Sequence, residues 1–139
     1  MSSKLKTAVI GFGKVSAGYA ENPDMRKYYR YCTHAQVLMD HPSFNWDTVV
    51  DPDEDALALA GDRYNIPNLF QSVDEMIGAV KPDVIVLATP PEGRLEILQK
   101  LEKLKGLMLE KPLGKDLDQS QAFVNYCIDR RIPVQAYRK

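Results

Sequence analysis

Short, almost wholly apolar runs alternate with amphipathic helical segments along this chain, and no other feature restricts its possible folds as strongly. A strand with one solvent-exposed face alternates apolar and polar residues, whereas a strand covered on both faces is apolar at nearly every position. Repeated strand–helix units with such strands predict a parallel sheet. The sequence therefore predicts an α/β protein with a doubly wound, six-stranded parallel sheet and helices on both faces.

The spacing of apolar residues and the turn signals give the bounds of the predicted elements. Strands are predicted at Thr7–Ile10, Trp46–Val50, Asn68–Phe70, Val84–Ala88, Gly106–Leu109 and Pro133–Ala136. Helices are predicted at Thr33–Met39, Asp53–Tyr64, Ser72–Val80, Gly93–Leu104 and Asp118–Arg130. The start of the third helix is marked by the capping box Ser72-Val73-Asp74-Glu75.

Length and charge favour a single domain without nucleic acid or membrane partners. A chain of 139 residues can bury one core, so residues 1–139 are expected to form one domain. The net charge of −1 gives no reason to expect a polyanionic partner. The apolar runs are far shorter than the ~20 residues of a membrane-spanning helix. Because Met1-Ser2-Ser3-Lys4 leads directly into the first strand, no signal peptide is expected, and the predicted location is cytoplasmic.

Cysteine and histidine are too scarce for a disulfide framework or a metal site. The chain has two cysteines and two histidines. Cys32 and Cys127 are interpreted as small buried residues in a reducing compartment. No metal is therefore expected.

A glycine-containing turn follows the first predicted strand. In a dinucleotide-binding βα unit the first glycine permits a tight turn, and the second lets the backbone approach the pyrophosphate. A third small residue lets the helix pack on the strand, and the free N–H groups of that helix favour phosphate. Gly11, Gly13 and Ser16 have this spacing, with serine in the third position. The sequence thus predicts a three-layer Rossmann fold, whose cofactor-binding turn consists of Gly11, Phe12, Gly13, Lys14, Val15 and Ser16.

Asp51 ends the second predicted strand, where dinucleotide-binding folds place an acidic residue that binds the adenosine ribose. It lies further from the glycines than the usual ~20 residues, because the polar and aromatic segment Tyr19–Cys32 is inserted. That segment is either a surface loop or a flap over the ligand cleft. Asp53 or Asp55 is expected to cap the next helix. No basic residue follows Asp51 before Arg63, so NAD(H) is favoured over NADP(H).

Two further segments follow predicted strands at the same edge of the sheet. In open α/β sheets ligands bind beyond the carboxyl ends of the strands. Thr89 and Pro90, after the fourth strand, are therefore expected to lie near the cofactor, although a plain strand-to-helix turn is the alternative. Glu110-Lys111-Pro112 follows the fifth strand, and the Lys111 amine is a candidate for proton transfer or polarisation beside the nucleotide.

Four segments occur here in a fixed order that points to a known family. They are Ala8-Val9-Ile10-Gly11-Phe12-Gly13, Val49-Val50-Asp51-Pro52-Asp53, Ala88-Thr89-Pro90-Pro91 and Glu110-Lys111-Pro112-Leu113. Together they resemble the N-terminal half of the Gfo/Idh/MocA family, the relatives of glucose–fructose oxidoreductase and inositol dehydrogenase. The resemblance implies a domain that binds a nicotinamide dinucleotide. It also implies hydride transfer involving a hydroxyl carbon of a sugar, a sugar-nucleotide or a cyclic polyol.

The resemblance also assigns roles to individual residues. It implies that Thr89, Pro90 and Glu110 contact the dinucleotide and that Lys111, as the catalytic residue, faces nicotinamide and substrate. His34 resembles a family histidine that lies nearer the glycines, and we interpret it as structural. Arg94 stands where the family often has a histidine.

The chain departs from the family most clearly in its length. Family members continue into a second domain that carries the substrate platform, the usual catalytic histidine and the expected oligomer contacts. This chain is therefore expected to be a cofactor-binding half that is inactive alone. Two alternatives remain open: a reductase domain of the dihydrodipicolinate or semialdehyde type, and a non-catalytic, nucleotide-sensing Rossmann module.

Overall fold

The computed structural model describes residues 4–12, 34–90, 93–101, 103–110 and 113–137. In these ranges the strands are β1 (Leu5–Ile10), β2 (Phe44–Val50), β3 (Asn68–Phe70), β4 (Val84–Leu87), β5 (Gly106–Glu110) and β6 (Val134–Tyr137). The helices are α1 (His34–Asp40), α2 (Glu54–Tyr64), α3 (Val73–Ile77), α4 (Arg94–Gln99) and α5 (Leu117–Asp129). Each strand and helix whose bounds were predicted has a counterpart here; β3 has the predicted bounds, and the others are shifted at one or both ends. The helix expected directly after the glycine turn lies outside the described residues.

The strands form one six-stranded sheet in the order β3-β2-β1-β4-β5-β6, and each neighbouring pair is parallel. The order reverses between β1 and β4. In open α/β sheets the crevice at the carboxyl ends of two such strands is where ligands bind. The predicted doubly wound parallel sheet is thus confirmed, and the site must be sought beyond Ile10 and Leu87.

Alternate residues of the strands pack on opposite faces of the sheet. Ala8 and Ile10 contribute to one buried cluster, and Val9 contributes to another on the opposite face. The helices add Val73, Met76, Leu98, Phe123 and Cys127 to the first cluster and Leu38, Leu57 and Ala60 to the second. Both faces are covered, which is why the central strand β4 is apolar and buried at every position. Burial raises the pKa of the Cys127 thiol, as expected for a packed rather than a reactive cysteine.

One extra residue interrupts the pairing of β1 with β2. Thr7 lies opposite Trp46 and Ala8 lies opposite Thr48, so Asp47 has no partner in β1. This bulge shifts, by one residue, the alternation of β2 side chains between the two faces of the sheet. Trp46 and Val49, three positions apart, therefore join the same buried cluster, although strict alternation would place them on opposite faces.

Two helices begin as predicted from their capping residues. Ser72 Oγ accepts a hydrogen bond from Glu75 N at 3.2 Å, one half of a capping box, while Glu75 Oε2 accepts from Gln71 N, one residue before the cap. At the start of α2, Asp53 Oδ1 accepts from Asp55 N at 2.9 Å, which makes Asp53 the N-cap. None of the helices in the described ranges is both long enough and apolar enough to cross a membrane.

Two helices are shorter than predicted. α4 ends at Gln99 rather than at residue 104, because Lys100 N donates to Ile97 O at 3.1 Å and the last turn tightens to three-residue spacing. Lys103 then has a φ of +57°, which a continuing helix does not allow. Similarly, α3 ends before Gly78 instead of reaching residue 80. Apolar residues beyond the end of each helix still pack against the core. Their helix-like spacing in the sequence therefore reflects burial and does not show that the helix continues.

Candidate functional site

The turn after β1 requires glycine for two independent reasons. Gly11 has a φ of +91°, a left-handed conformation that residues with a Cβ rarely adopt. A Cβ there would also lie 2.9 Å from the carbonyl carbon and oxygen of Ala88. Gly11 N donates to Val50 O at 2.8 Å, and Ala88 N donates to Ile10 O at 2.9 Å. The turn is thus bonded to β2 while it packs against the end of β4.

Phe12 directs its side chain into the core. The side chain is 2 % exposed, and its ring centroid lies 5.8 Å from the ring centroids of both Trp46 and Tyr64. Trp46 and Tyr64 are themselves 5.4 Å apart, so the three rings form one aromatic cluster. Any contact between Phe12 and a cofactor is therefore limited to its backbone.

Asp51 ties together the loops that follow β1 and β2. Its Oδ2 accepts from Phe12 N at 2.7 Å and its Oδ1 accepts from Asp53 N at 2.8 Å. Its own N–H donates to Phe70 O at 3.0 Å. A carboxylate offers about four acceptor sites, so capacity remains for two further donors, such as ribose hydroxyls. The sequence indicated the ligand role but not this support of the glycine turn.

The Thr89 hydroxyl is a buried polar group that lacks a partner. Its Oγ1 makes no hydrogen bond with the described part of the chain, although the atom is inaccessible to solvent. Leaving such a group unpaired costs roughly 1–3 kcal/mol. Thr89 lies directly against the glycine turn, since a Cβ on Gly11 would come within 3.0 Å of Thr89 N. A ligand bound at this turn could supply the missing partner.

Arg94 belongs to the same edge, although the resemblance to the family gave it no site role. Its side chain is 3 % exposed, and its Nε and Nη2 both donate to Thr89 O, at 3.1 and 2.5 Å. One signal in the sequence could have revealed it. Arg94 follows the Thr89-Pro90 loop closely, at the position where the family that the sequence resembles often has a histidine.

Several predicted site residues lie outside the described residues. They are Gly13, Lys14, Val15, Ser16 and Lys111, together with the Tyr19–Cys32 segment. Glu110 is the last residue of β5 and pairs with Tyr137 of β6, so its backbone lies at the same edge of the sheet as Gly11 and Thr89. Lys111 follows it directly in sequence. Its proposed catalytic role and the roles of the second glycine and Ser16 remain predictions.

The described residues at this edge fit a dinucleotide. Gly11 leaves the turn free of side-chain bulk, Asp51 retains acceptor capacity, and Thr89 holds an unpaired hydroxyl. In the portion of the chain that the structure describes, no three His, Cys, Asp or Glu side chains are grouped so as to bind a metal ion. His41 lies in the turn before β2, where its Nδ1 accepts a hydrogen bond from Ser43 N at 3.1 Å.

Comparison with known sequences identifies one family. The sequence pattern of Gfo/Idh/MocA proteins, described as an oxidoreductase family with an NAD-binding Rossmann fold, matches residues 5–137. The match covers nearly all of the 139 residues. No curated protein sequence matches this chain.

Solved structures share the fold at low sequence identity. Scyllo-inositol dehydrogenase from Lactobacillus casei superposes with a TM-score of 0.75 at 15 % identity, over 96 % of this chain and 36 % of its own. An oxidoreductase from Agrobacterium radiobacter, in complex with NAD+, L-tartaric acid and magnesium, gives 0.75 at 23 % identity, over 97 % of this chain and 35 % of its own. The WlbA dehydrogenase from Bordetella pertussis, in complex with NADH and UDP-GlcNAcA, superposes with a TM-score of 0.71 at 18 % identity. The superposition covers 96 % of this chain and 37 % of the WlbA chain. This chain thus spans about a third of each of these structures.

Proposed function

This chain belongs to the Gfo/Idh/MocA oxidoreductase family, and from this premise we propose that it holds NAD(H) for a dehydrogenase. The proposed reaction is hydride transfer between nicotinamide and a hydroxyl carbon of a sugar, a sugar-nucleotide or a cyclic polyol. The observation that carries the proposal is the Gly11 turn, packed on Ala88 beside Asp51 and Thr89 where the strand order reverses. Family membership sets aside a reductase of the dihydrodipicolinate or semialdehyde type.

Each described residue has a distinct proposed role in binding. Gly11 permits the tight turn after β1 at which the pyrophosphate would bind, because a Cβ there would meet the Ala88 carbonyl. Asp51 accepts hydrogen bonds from the ribose hydroxyls with the acceptor sites that Phe12 N and Asp53 N leave free. Thr89 pairs its buried hydroxyl with the dinucleotide and so removes the cost of leaving Oγ1 unsatisfied.

The proposed chemistry needs one further residue of this chain. A nicotinamide ring, when bound, gives or accepts the hydride. Lys111 lies outside the described residues; in sequence it follows Glu110, whose backbone lies at the edge that carries Gly11 and Thr89. We assign it the task of sharing a proton with the reacting hydroxyl, a contribution typically worth about 10²–10⁴ in rate. The substrate platform is assigned to a second domain of the kind found in the family.

The proposed cofactor preference is testable by direct titration. We expect this chain to bind NADH at least about tenfold more tightly than NADPH, because like charges placed together cost several kcal/mol. Asp51 faces the ribose in this proposal, and exposed carboxylates of Asp53, Glu54 and Asp55 follow it. Trp46 is the only tryptophan of the chain and lies in the aromatic cluster beside the turn, so quenching of its emission reports binding. Equal or tighter binding of NADPH would contradict the role of Asp51.

The proposed division of labour predicts slow turnover by this chain alone. With NAD+ and a panel of inositols, hexoses and nucleotide sugars, NADH absorbance should rise far more slowly than the ~1–10³ s⁻¹ of ordinary enzymes. The reason is that substrate positioning contributes several orders of magnitude to the rate, and no described residue is assigned to it. Ordinary turnover would show that the substrate site lies within these 139 residues. Binding of NADH without turnover, even with a substrate domain present, would favour the nucleotide-sensing alternative.

A further inference from the structure

We propose that Arg94 is a positioning residue that holds Thr89 with its buried hydroxyl toward the dinucleotide. The inference rests on the proposed function, since NAD(H) is the ligand whose affinity it changes. It starts from the two hydrogen bonds that Arg94 Nε and Nη2 donate to Thr89 O, at 3.1 and 2.5 Å. Thr89 Oγ1, on the same residue, is buried without a partner.

The burial of Arg94 indicates a specific purpose. Arginine is almost never fully buried unless its charge is paired or hydrogen-bonded, because desolvation of a cation is costly. The Arg94 side chain is nevertheless 3 % exposed. Two N–H groups of the guanidinium fork donate to this one oxygen, and such charge-assisted hydrogen bonds are roughly twice as strong as neutral ones. The side chain therefore acts on the orientation of the Thr89 carbonyl.

That carbonyl controls the orientation of the whole peptide unit. Pro90 has no N–H, so the Thr89 carbonyl is the only backbone hydrogen-bonding group in the peptide that joins the two residues. Arg94 engages this oxygen with two donors. On the other side, Ala88 N donates to Ile10 O at 2.9 Å. The Ala88-Thr89 segment is thereby held between β1 and α4, and its backbone restricts the Thr89 hydroxyl to the few staggered directions that it allows.

The helix that carries Arg94 is itself well anchored. Leu98, one turn further along α4, is 1 % exposed and belongs to the core cluster shared by the sheet, α3 and α5. Gly93 precedes the helix with a φ of +81° and provides no side-chain cap. The position of α4 is thus set by packing of Leu98, and Arg94 transmits that position to Thr89.

A double-mutant cycle tests whether Arg94 acts through Thr89. In this chain, Thr89→Val and Arg94→Met should each weaken NADH binding about three- to tenfold, the loss of one ligand hydrogen bond. The double variant should bind no more weakly than the weaker single variant, because both changes remove the same interaction. Thr89→Ser, which keeps the hydroxyl, should retain most of the affinity. Trp46 emission provides the readout, and circular dichroism checks folding.

Two further variants separate positioning from charge and from general arginine loss. Arg94→Lys keeps the cation but lacks the fork geometry, so it should also weaken binding. Arg130→Met is the matched control: Arg130 is exposed at the far end of α5 and lies 5.1 Å from the Tyr126 ring. It should leave NADH affinity unchanged.

Each outcome bears on the inference. Losses that add in the double variant, or an Arg94→Lys variant equal to the unaltered chain, would overturn it while leaving the proposed function intact. An unaltered chain that bound no NADH would overturn the proposed function and the inference with it. If Arg94→Met fails to fold, Arg94→Lys combined with Thr89→Val completes the same cycle.

Discussion

Replacing Gly11 by valine should abolish measurable NADH binding and destabilise the fold by about 3 kcal/mol. Two costs combine. A β-branched residue is strained at a φ of +91°, and its Cβ would stand 2.9 Å from the Ala88 carbonyl. Relief requires the end of β4 to move away from β1, which displaces Thr89 as well. Thermal unfolding should show a melting temperature lowered by roughly 10 °C, and Trp46 emission should no longer respond to NADH.

Gly93→Val is the matched control for this change. Gly93 has a comparable φ of +81°, but a Cβ there meets no described atom within 4 Å. The Gly93→Val variant therefore has the backbone strain but no clash between its Cβ and a neighbouring atom. Its loss of stability should be near the ~1–2 kcal/mol cost of a left-handed residue. Equal losses for the two variants would show that contact with Ala88 is unimportant. Normal NADH binding by Gly11→Val would exclude this turn as the phosphate site.

Replacing Asp51 by alanine should weaken NADH binding at least about 10- to 100-fold, because even one hydrogen bond to a charged acceptor contributes roughly 1.5–3 kcal/mol. It should also narrow the difference between NADH and NADPH, since the repelling carboxylate is gone. Phe12 N and Asp53 N would lose their acceptors, at 2.7 and 2.8 Å. Titration with both nucleotides, together with chemical unfolding, measures the two effects.

Asp51→Asn distinguishes hydrogen bonding from charge. Phe12 N and Asp53 N donate to different oxygens of the carboxylate, and asparagine replaces one of these oxygens by an NH₂ that cannot accept, so one N–H loses its partner. We therefore expect it to be nearly as damaging as alanine. Asp55→Asn removes the same charge from an exposed position four residues away and should change little. An Asp51→Asn variant that bound NADH normally would contradict the dual role of the carboxylate.

The parts of this site that could be predicted from the sequence are those that depend on local chemistry. Gly11 after an apolar strand, Asp51 at the end of the next and a helix cap at Asp53 or Asp55 each follow from a few neighbouring residues. The collision that forbids a Cβ at Gly11 involves Ala88, which is distant in sequence and adjacent only in the sheet. Such contacts are set by strand order and leave no local pattern.

Two features that the sequence did not predict, the contact of Arg94 with Thr89 and the early end of α4, also depend on packing between distant segments. Arg94 reaches Thr89 only because packing of Leu98 determines where α4 lies, and no spacing rule encodes that. The sequence did not reveal the early end of α4, because the apolar residues beyond Gln99 still pack against the core. Burial and helical periodicity produce similar patterns over a short segment. Sequence reasoning therefore placed the helix correctly and extended it too far.

The bulge at Asp47 matters for how homologous sequences are compared with this one. The alternation of side chains between the two faces of the sheet shifts by one residue at the bulge. Trp46 before it and Val49 after it therefore lie in the same buried cluster. A homologue that lacks the bulge would have one residue fewer at this point and could still bury the same side chains. An alignment gap in β2 therefore belongs at Asp47. A gap on either side would equate core positions of one protein with surface positions of the other, and would misassign the aromatic cluster that supports the glycine turn.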